Sequence, residues 1–572
     1  MGSTRSITTS DIVAALAQHA GLDLTSEERE QLVEHVTTVW DMAEALRMVA
    51  SPGLEGLRDT MPLRTAEANR RASGPSTTRR RRRSSSPMPV LLPVDEATVQ
   101  DGVLAIGAAI RRGDVRPIDV VAAFLERIRV YDTDVRSYIT VDAQGAMDTA
   151  EELGSELARA RSRSVLHGVP FGVKDSIPAE GMPTTYNSPL MRDWFPARDS
   201  EPVRRLRAAG AVLLGKHNLN EFGWSLPSER DLKPPPRNPF LPEEASVGSS
   251  SGSAAAVSAG LAAFALGTDA GGSVRLPAGQ HRLFGLKPGL GVVPRTGVGE
   301  MTVSEVGVLA RSAPDAAVVL AALLLDPDSP DVHERLRVEP LRRAEEVVQP
   351  AANVRLGVPW AYIRGIDIEP ATRTAFEEAC RACEDLGWEI VDVPDRALSV
   401  LHDAVRANFV VIAAEHFFDH EGTVTRRERY GERAGFYALP GCCLTAADYL
   451  HARRVGRVAC EAVDAVLDTV DALLTPTGRV TRTSASRNPA THRSGGNAVF
   501  TAAFNVTGHP AVSAPAGASP DGLPIGVQLV GRPAAEFTLL RLAHAIAERV
   551  PQPPFPDLAI MRDRLEARHM CG

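Results

Sequence analysis

The chain has 572 residues, of which 44% are apolar, 23% charged and 5% aromatic, and its formal net charge is −8. That is enough apolar sequence for a sizeable core, and the length implies two or more domains. Mild acidity argues against a general nucleic-acid binder, the few aromatics offer no base-stacking platform, and six cysteines in so long a chain fit a reducing cytoplasm.

The first residues, Met1–Ser10, are polar and lack the apolar core of a signal peptide. Asp11–Ala20 is expected as a helix ended by Gly21. Thr25 and Glu28 have the spacing of a capping box. Beyond them Leu32, Val36, Val39, Ala43 and Leu46 lie on one helical stripe, widened by Val33 and Trp40. Two short helices cannot bury that stripe alone, so the unit should dock on something. Gly53–Leu57 and Met61–Arg64 follow as an extended tail. Residues 70–93 read as a disordered, low-complexity linker carrying five consecutive arginines, Arg79–Arg83. A basic run can bind nucleic acid or act as an import signal, but without aromatics a solvated tether is the better reading. The expected division is a helical domain over 1–69, a linker over 70–93 and a main domain over 94–572.

In the main domain Val99–Arg111, Ile118–Tyr131 and Ala143–Ala160 read as helices, the second announced by Arg116-Pro117. The sheet should begin near Gly168. Glu201–Ala209 is a helix ending at Gly210, and Ala211–Gly215 a buried strand. This alternation predicts an α/β core with a mixed central sheet flanked by helices. Leu232–Pro242 is a proline-rich loop placed to border a site mouth. Ala254–Ala263 reads as a buried helix and Phe264–Thr268 as a buried strand. The apolar run Ala316–Leu325 is half the length of a membrane span and reads as a core helix. Cys380 and Cys383 form one C-x-x-C with no second pair, which argues against zinc, and Cys442 and Cys443 read as free thiols. Arg427, Arg429, Tyr430 and Arg433 read as a solvated helix face. Asp468–Pro476 reads as a strand, and Leu539–Val550 as the closing helix.

Chemistry concentrates in Ser246–Pro288. A Gly248–Ser253 cluster should be a tight loop opening a helix, where unpaired N–H groups collect. A second cluster, Asp269-Ala270-Gly271-Gly272-Ser273, follows a strand, which is where α/β proteins place their chemistry. Upstream, the apolar run from His167 ends at Lys174. Desolvation there would lower the lysine pKa and supply a neutral amine as base. A serine hydroxyl is a weak nucleophile until a base takes its proton. Two serine loops and one buried lysine therefore point to Ser–Ser–Lys catalysis.

These motifs, together with Gly285-Leu286-Lys287-Pro288 and Gly168–Asp175, resemble the amidase signature family over roughly residues 95–550. The resemblance implies the amidase signature fold, with Phe500–Pro510 and Gly522–Gly531 as C-terminal strands, Lys174 as base, Ser249 as bridging serine in a cis peptide, and Ser273 as nucleophile. It further implies an oxyanion hole from the N–H groups of Ala270, Gly271, Gly272 and Ser273, and bracing by Ser250, Asp269 and Arg275. No metal or cofactor is needed. Val247 and Ser251 replace glycines of the first loop. Gly279-Gln280-His281-Arg282 stands where the family has a smaller group ending in glycine. Ala498 occupies the place of the acid that holds the glutamine amino group in glutamine-using amidotransferases, so glutamine is a poor guess for the substrate. The N-terminal unit, with Ala20-Gly21-Leu22-Asp23-Leu24-Thr25 and Pro62-Leu63-Arg64, resembles the small subunit of tRNA-dependent amidotransferases and related helper chains of amidases. That implies a helper fused to the enzyme.

The leading expectation is a cytoplasmic hydrolase of a small non-peptide amide, ureide- or biuret-like. Its partners would be that small molecule and, in a homodimer, a second copy, with no membrane and no nucleic acid. A transamidase or amide-forming acyltransferase using the same acyl-enzyme is the second expectation. A non-catalytic assembly protein is the third.

Overall fold

A computed structural model describes Ser10, Val13, Ser26–Met48, Val94, residues 101–224, Ser228, residues 231–299, 301–420, 430–431, 439–482 and 496–571. The expected Asp11–Ala20 helix, the Thr25 cap, the Gly53–Arg64 tail, the arginine linker and Arg427, Arg429 and Arg433 lie outside the described residues. In chain order the strands are β1 (Tyr138–Val141), β2 (Pro170–Lys174), β3 (Val212–His217), β4 (Arg237–Asn238), β5 (Leu241–Ala245), β6 (Phe264–Asp269), β7 (Phe284–Lys287), β8 (Glu305–Ala310), β9 (Arg355–Val358), β10 (Glu389–Asp392), β11 (Ala472–Pro476), β12 (Ala511–Ala518) and β13 (Pro524–Val530). Eleven of them form one sheet in the order β1-β3-β2-β6-β8-β7-β12-β13-β11-β9-β10, while β4 and β5 pair as a separate hairpin that begins in the proline-rich loop and ends beyond it.

The sheet is mixed. Strand β2 runs parallel to both β3 and β6, β6 is antiparallel to β8, and β9 is parallel to β10 and β11. Every residue of β2, β3, β8 and β13 is buried. A strand covered on both faces loses its alternation and reads as a continuous apolar run, which is how these segments appear in the sequence. The parallel trio β3-β2-β6 ends in His217, Lys174 and Asp269, so two of the expected site residues leave the sheet at the same edge.

The helix expected at Ala254–Ala263 is shorter and earlier, Ser251–Ser258, with every residue buried. Gly260 at φ +67° turns the chain out of it, and residues 259–263 lead into β6. Gly252 fits this start because a Cβ there would lie 2.5 Å from the Asn218 nitrogen and the Ser137 oxygen. The Ala313–Leu324 helix is buried along nearly its whole length, as the apolar run predicted. Phe500–Pro510 is a correction: it holds no strand but a 3₁₀ turn at Gly496–Phe500 and a short helix at Ala503–Val506. A segment buried on all sides gives no periodicity by which to separate strand from helix. After the expected closing helix, observed at Glu536–Ala547, the chain adds a further one at Leu558–Cys571.

The Ser26–Met48 helix lies against the main domain. Met42, Ala43 and Leu46 pack with Ala407, Val410 and Val411 of the Leu401–His420 helix and with Ala452 and Val455 of the Ala446–Leu467 helix. Val13, Leu32 and Val36 pack on Leu439. Arg47 closes the contact by donating to both carboxylate oxygens of Asp448 at 2.7 and 2.9 Å. The predicted stripe is thus the docked face. By length and mean hydropathy (1.4) the stretch Asp395–His420 could cross a membrane, yet most of its apolar side chains, Phe418 excepted, pack between these helices and the core. Leu46 is 1% exposed, and removing a buried leucine costs about 2–5 kcal/mol. Leu46→Ala should therefore lower the urea or thermal midpoint of the whole chain; an unchanged midpoint would mean that the helix is not held.

Candidate active site

Lys174 sits at the end of β2 with 1% of its surface exposed. Its Nζ donates to Ser249 Oγ at 2.7 Å and to Thr268 Oγ1 at 2.8 Å. Burial removes water from the ammonium and pulls its pKa down to about 7, with Asp269 pulling weakly the other way. Near neutral pH much of the amine is uncharged, and the 2.7 Å contact can then run from the serine hydroxyl to the nitrogen lone pair. Ser249 follows a cis peptide from Gly248. The Ser250 N–H donates to the Ser273 carbonyl at 3.1 Å, which binds the two serine loops side by side. Ser273 is half-buried, as are Thr268, Ala270 and Gly271, so the pocket floor is open to solvent here.

The second loop is held by a buried ion pair. Asp269 and Arg275 are both inaccessible and 2.8 Å apart. Asp269 accepts from the N–H groups of Gly272 (2.7 Å) and Val274 (3.1 Å), from Arg275 Nε (3.0 Å) and from Asn505 Nδ2 (3.0 Å). Burial alone would raise this carboxyl, but the Arg275 charge and the donors overcome it and hold it well below the usual carboxylate range. Arg275 directs its other donors to the Thr501 carbonyl, Gln528 and Asn505. A charge taken from water needs this many partners.

This brace corrects one expectation. The Gly272 N–H is engaged by Asp269 and does not face a substrate. Among the described residues the N–H groups of Ala270, Gly271 and Ser273 donate to nothing, so they form the available donor set. Gly272 is required for a different reason: its φ is +128°, and a Cβ there would lie 2.3 Å from Thr501 Oγ1. Ser250 Oγ donates to the Thr268 carbonyl at 3.3 Å. The structure thus brings Lys174, Ser249, Ser250, Asp269, Ala270, Gly271, Ser273 and Arg275 together. Thr268, Asn408, Thr501 and Asn505 were not singled out from the sequence for this site. The signal for Thr268 was its place between Gly267 and Asp269, and for Asn505 an amide inside the apolar run Phe504–Val506.

The departures from the family pattern lie around this core. Ser251 is fully buried as the first residue of its helix, and its hydroxyl has no partner among the described residues. Val247 is buried as well. His281 bridges the Pro277 carbonyl and Ser246 Oγ at 2.8 and 2.9 Å, and burial lowers its pKa to about 4. Arg282 takes a positive φ of 55°, a conformation suited to glycine, and lays its guanidinium 4.2 Å from the centre of the Phe555 ring. Ala498 lies on the 3₁₀ turn before Thr501, which itself donates to the Gly271 carbonyl at 2.7 Å. A small cleft lined by Leu276, Gln280, Thr477, Thr481 and Asn497 is bordered by none of the three proposed catalytic residues. Tyr430 is buried and bonded to His420 rather than solvated. Cys380 and Cys383 are buried free thiols. One group among the described residues, Cys460, Asp464 and His509, brings possible metal donors within 4.8 Å of one another, and it includes no residue of this site.

A mixed sheet that delivers a buried lysine onto a serine loop, beside a glycine loop with free amides, defines an acyl-transferring α/β enzyme. The sequence places it further: the amidase family model matches residues 119–540, and the chain belongs to that family. It is 31% identical over 489 residues to the glutamyl-tRNA(Gln) amidotransferase A-subunit of Desulforapulum autotrophicum, covering 79% of this chain and 98% of the relative. The corresponding protein of Geobacter metallireducens is 34% identical over 471 residues, covering 77% and 95%. Among solved structures, one reported for a vestigial protein complex bearing on the origins of an s-triazine catabolic enzyme aligns with a TM-score of 0.70 at 29% identity, covering 79% of this chain and all of that one. The peptide amidase of Stenotrophomonas maltophilia aligns at 0.66 and 27%, covering 80% and 98%.

Breaking a buried pair from one side costs about 3–5 kcal/mol. Asp269→Asn should therefore lose roughly that much stability in urea unfolding at pH 7. In the native chain the Asp269 contribution is full above the unfolded value of about 3.9 and fades as pH falls towards its depressed folded value. If Asp269→Asn unfolds at the wild-type midpoint, the brace is not carrying the loop.

Proposed function

We propose that the protein hydrolyses a small non-peptide amide through an acyl-enzyme on Ser273. The observation that carries this reading is the 2.7 Å contact between a desolvated Lys174 amine and Ser249, one loop away from Ser273. Ser273 Oγ attacks the amide carbonyl while its proton passes to Ser249 Oγ and the Ser249 proton passes to neutral Lys174. The carbonyl oxygen becomes an oxyanion received by the free N–H groups of Ala270, Gly271 and Ser273, each worth up to about 3 kcal/mol of barrier. The lysine returns the proton through Ser249 to the leaving nitrogen, and the C–N bond breaks. Water, deprotonated by the same relay, then attacks the acyl ester and releases the acid and Ser273.

Hydrolysis of a small amide, ureide- or biuret-like, is supported by Ala498, which offers no charge to a substrate ammonium beside Thr501. The likeness to the structure concerned with s-triazine catabolism points the same way. A second reading, transfer of the acyl group to an amine, is favoured by the amidotransferase subunits among the relatives. In either case the docked Ser26–Met48 helix belongs to a helper unit fused to the enzyme, as its resemblance to small amidotransferase subunits implies.

Fluorophosphonate labelling followed by intact mass tests the nucleophile: one phosphonyl group on the wild type and none on Ser273→Ala. Unlabelled, folded wild type would remove the enzyme reading and favour an assembly protein. The labelling rate should rise with pH through a midpoint near 7, because only the neutral amine accepts the proton. A rate that stays flat across that midpoint would exclude Lys174 as base. Once labelling has established the nucleophile, fresh unlabelled enzyme should turn over biuret and simple ureides faster than glutamine. Partition of the acyl group to added hydroxylamine in preference to water would favour the transfer reading.

A further inference from the structure

Each peptide of the glycine loop is pinned by its carbonyl. The Asp269 carbonyl accepts from Asn505 Nδ2 at 2.8 Å, the Ala270 carbonyl from Asn408 Nδ2 at 2.9 Å and the Gly271 carbonyl from Thr501 Oγ1 at 2.7 Å. The Gly272 carbonyl accepts from Leu276 N at 2.8 Å and the Ser273 carbonyl from Ser250 N at 3.1 Å. In a planar trans peptide the C=O and the following N–H point in opposite directions. A donor that grips the carbonyl of one residue therefore aims the N–H of the next away from itself. Asn505 in this way fixes the direction of the Ala270 N–H, and Asn408 that of the Gly271 N–H. Both amides are left without partners among the described residues, which is what an oxyanion receptor requires.

We propose that Asn408 is a positioning residue of the reaction, holding the Ala270–Gly271 peptide so that the Gly271 N–H is set for the oxyanion before substrate arrives. The proposal rests on the reading of this loop as the oxyanion hole. Asn408 is well suited to the task and has little other use. It is completely buried, its Oδ1 has no hydrogen-bond partner among the described residues, and its one bond goes to the loop. Glycine at 271 has no side chain to hinder rotation of the peptide, so without an external grip the N–H could swing. An unpartnered amide oxygen in the core carries a desolvation cost, so Asn is not there for stability. Its neighbours in sequence, Ala407, Val410 and Val411, are the residues on which Met42, Ala43 and Leu46 of the N-terminal helix pack. The docked helix therefore presses on the element that carries Asn408. Thr501 and Asn505 share the clamping, but both also serve the Arg275 brace, Thr501 through its carbonyl. Asn408 acts on the loop alone.

The test is the kinetics of fluorophosphonate labelling of the full chain, since the phosphoryl oxygen of that probe occupies the oxyanion position. Asn408→Ala removes the donor, and Asn408→Leu removes it while keeping the branched shape and adding no charge, should the alanine variant fail to fold. Both should label Ser273 at least about tenfold more slowly at saturating probe, with half-saturating concentration unchanged. The midpoint of the pH profile should stay at its wild-type value, because Lys174 is untouched. Wild-type labelling rates in either folded variant would overturn the role of Asn408 while leaving the proposed nucleophile in place. So would a slowed rate accompanied by a shifted pH midpoint, which would mean that the substitution acts through the lysine. Absence of labelling in the wild type would overturn both readings together.

Discussion

Lys174 can act as a base only because it is dry. In water its amine would hold its proton to about pH 10 and have nothing to offer a serine. Burial at the end of β2, between β3 and β6, makes the charged form unfavourable and brings the pKa to about 7. That environment exists because β3 is buried throughout and β6 at every residue but Thr268. The large sheet is therefore part of the chemistry: it excludes water from one nitrogen while leaving Ser273, a loop away, half-open.

A second constraint is the direction of backbone amides. Free N–H groups in a protein interior are costly, and a glycine-rich loop left to itself would turn them towards the nearest acceptor. Here every carbonyl from Asp269 to Ser273 is gripped, and of the Ala270–Ser273 amides that of Gly272 is consumed by Asp269. The Asp269–Arg275 pair anchors the loop from below and draws in Thr501, Asn505 and Gln528 from distant parts of the chain. The C-terminal third of the domain thus shapes the loop without supplying any of the three proposed catalytic side chains. Rigidity of this kind lets electrostatic stabilisation act without reorganisation.

The N-terminal helix connects to the same machinery at one remove. Its apolar stripe covers the Leu401–His420 and Ala446–Leu467 helices, and the cluster it joins also touches Ala270, Trp224 and Met301. A helix that brings only Met42, Ala43 and Leu46 to that cluster therefore reaches the neighbourhood of the oxyanion loop.

Much of this was legible from the sequence because it is local. Lys174 announced itself as a charge ending an apolar strand, and the serine loops as glycine-serine clusters beside a buried helix and strand. The stripe Leu32, Val36, Val39, Ala43, Leu46 marked the docking face by its spacing alone. Strand against helix failed at Phe500–Val506, where burial on all sides erases periodicity. What the sequence could not determine is which atoms meet. That Gly272 gives its N–H to Asp269, that Asn505 and Gln528 converge on Arg275, and that Asn408 reaches Ala270 across 138 positions of chain are consequences of how the sheet and helices pack. Local pattern records which faces avoid water, and hydrogen bonds between segments far apart in the chain are decided only when the tertiary fold brings their donors and acceptors within about 3 Å.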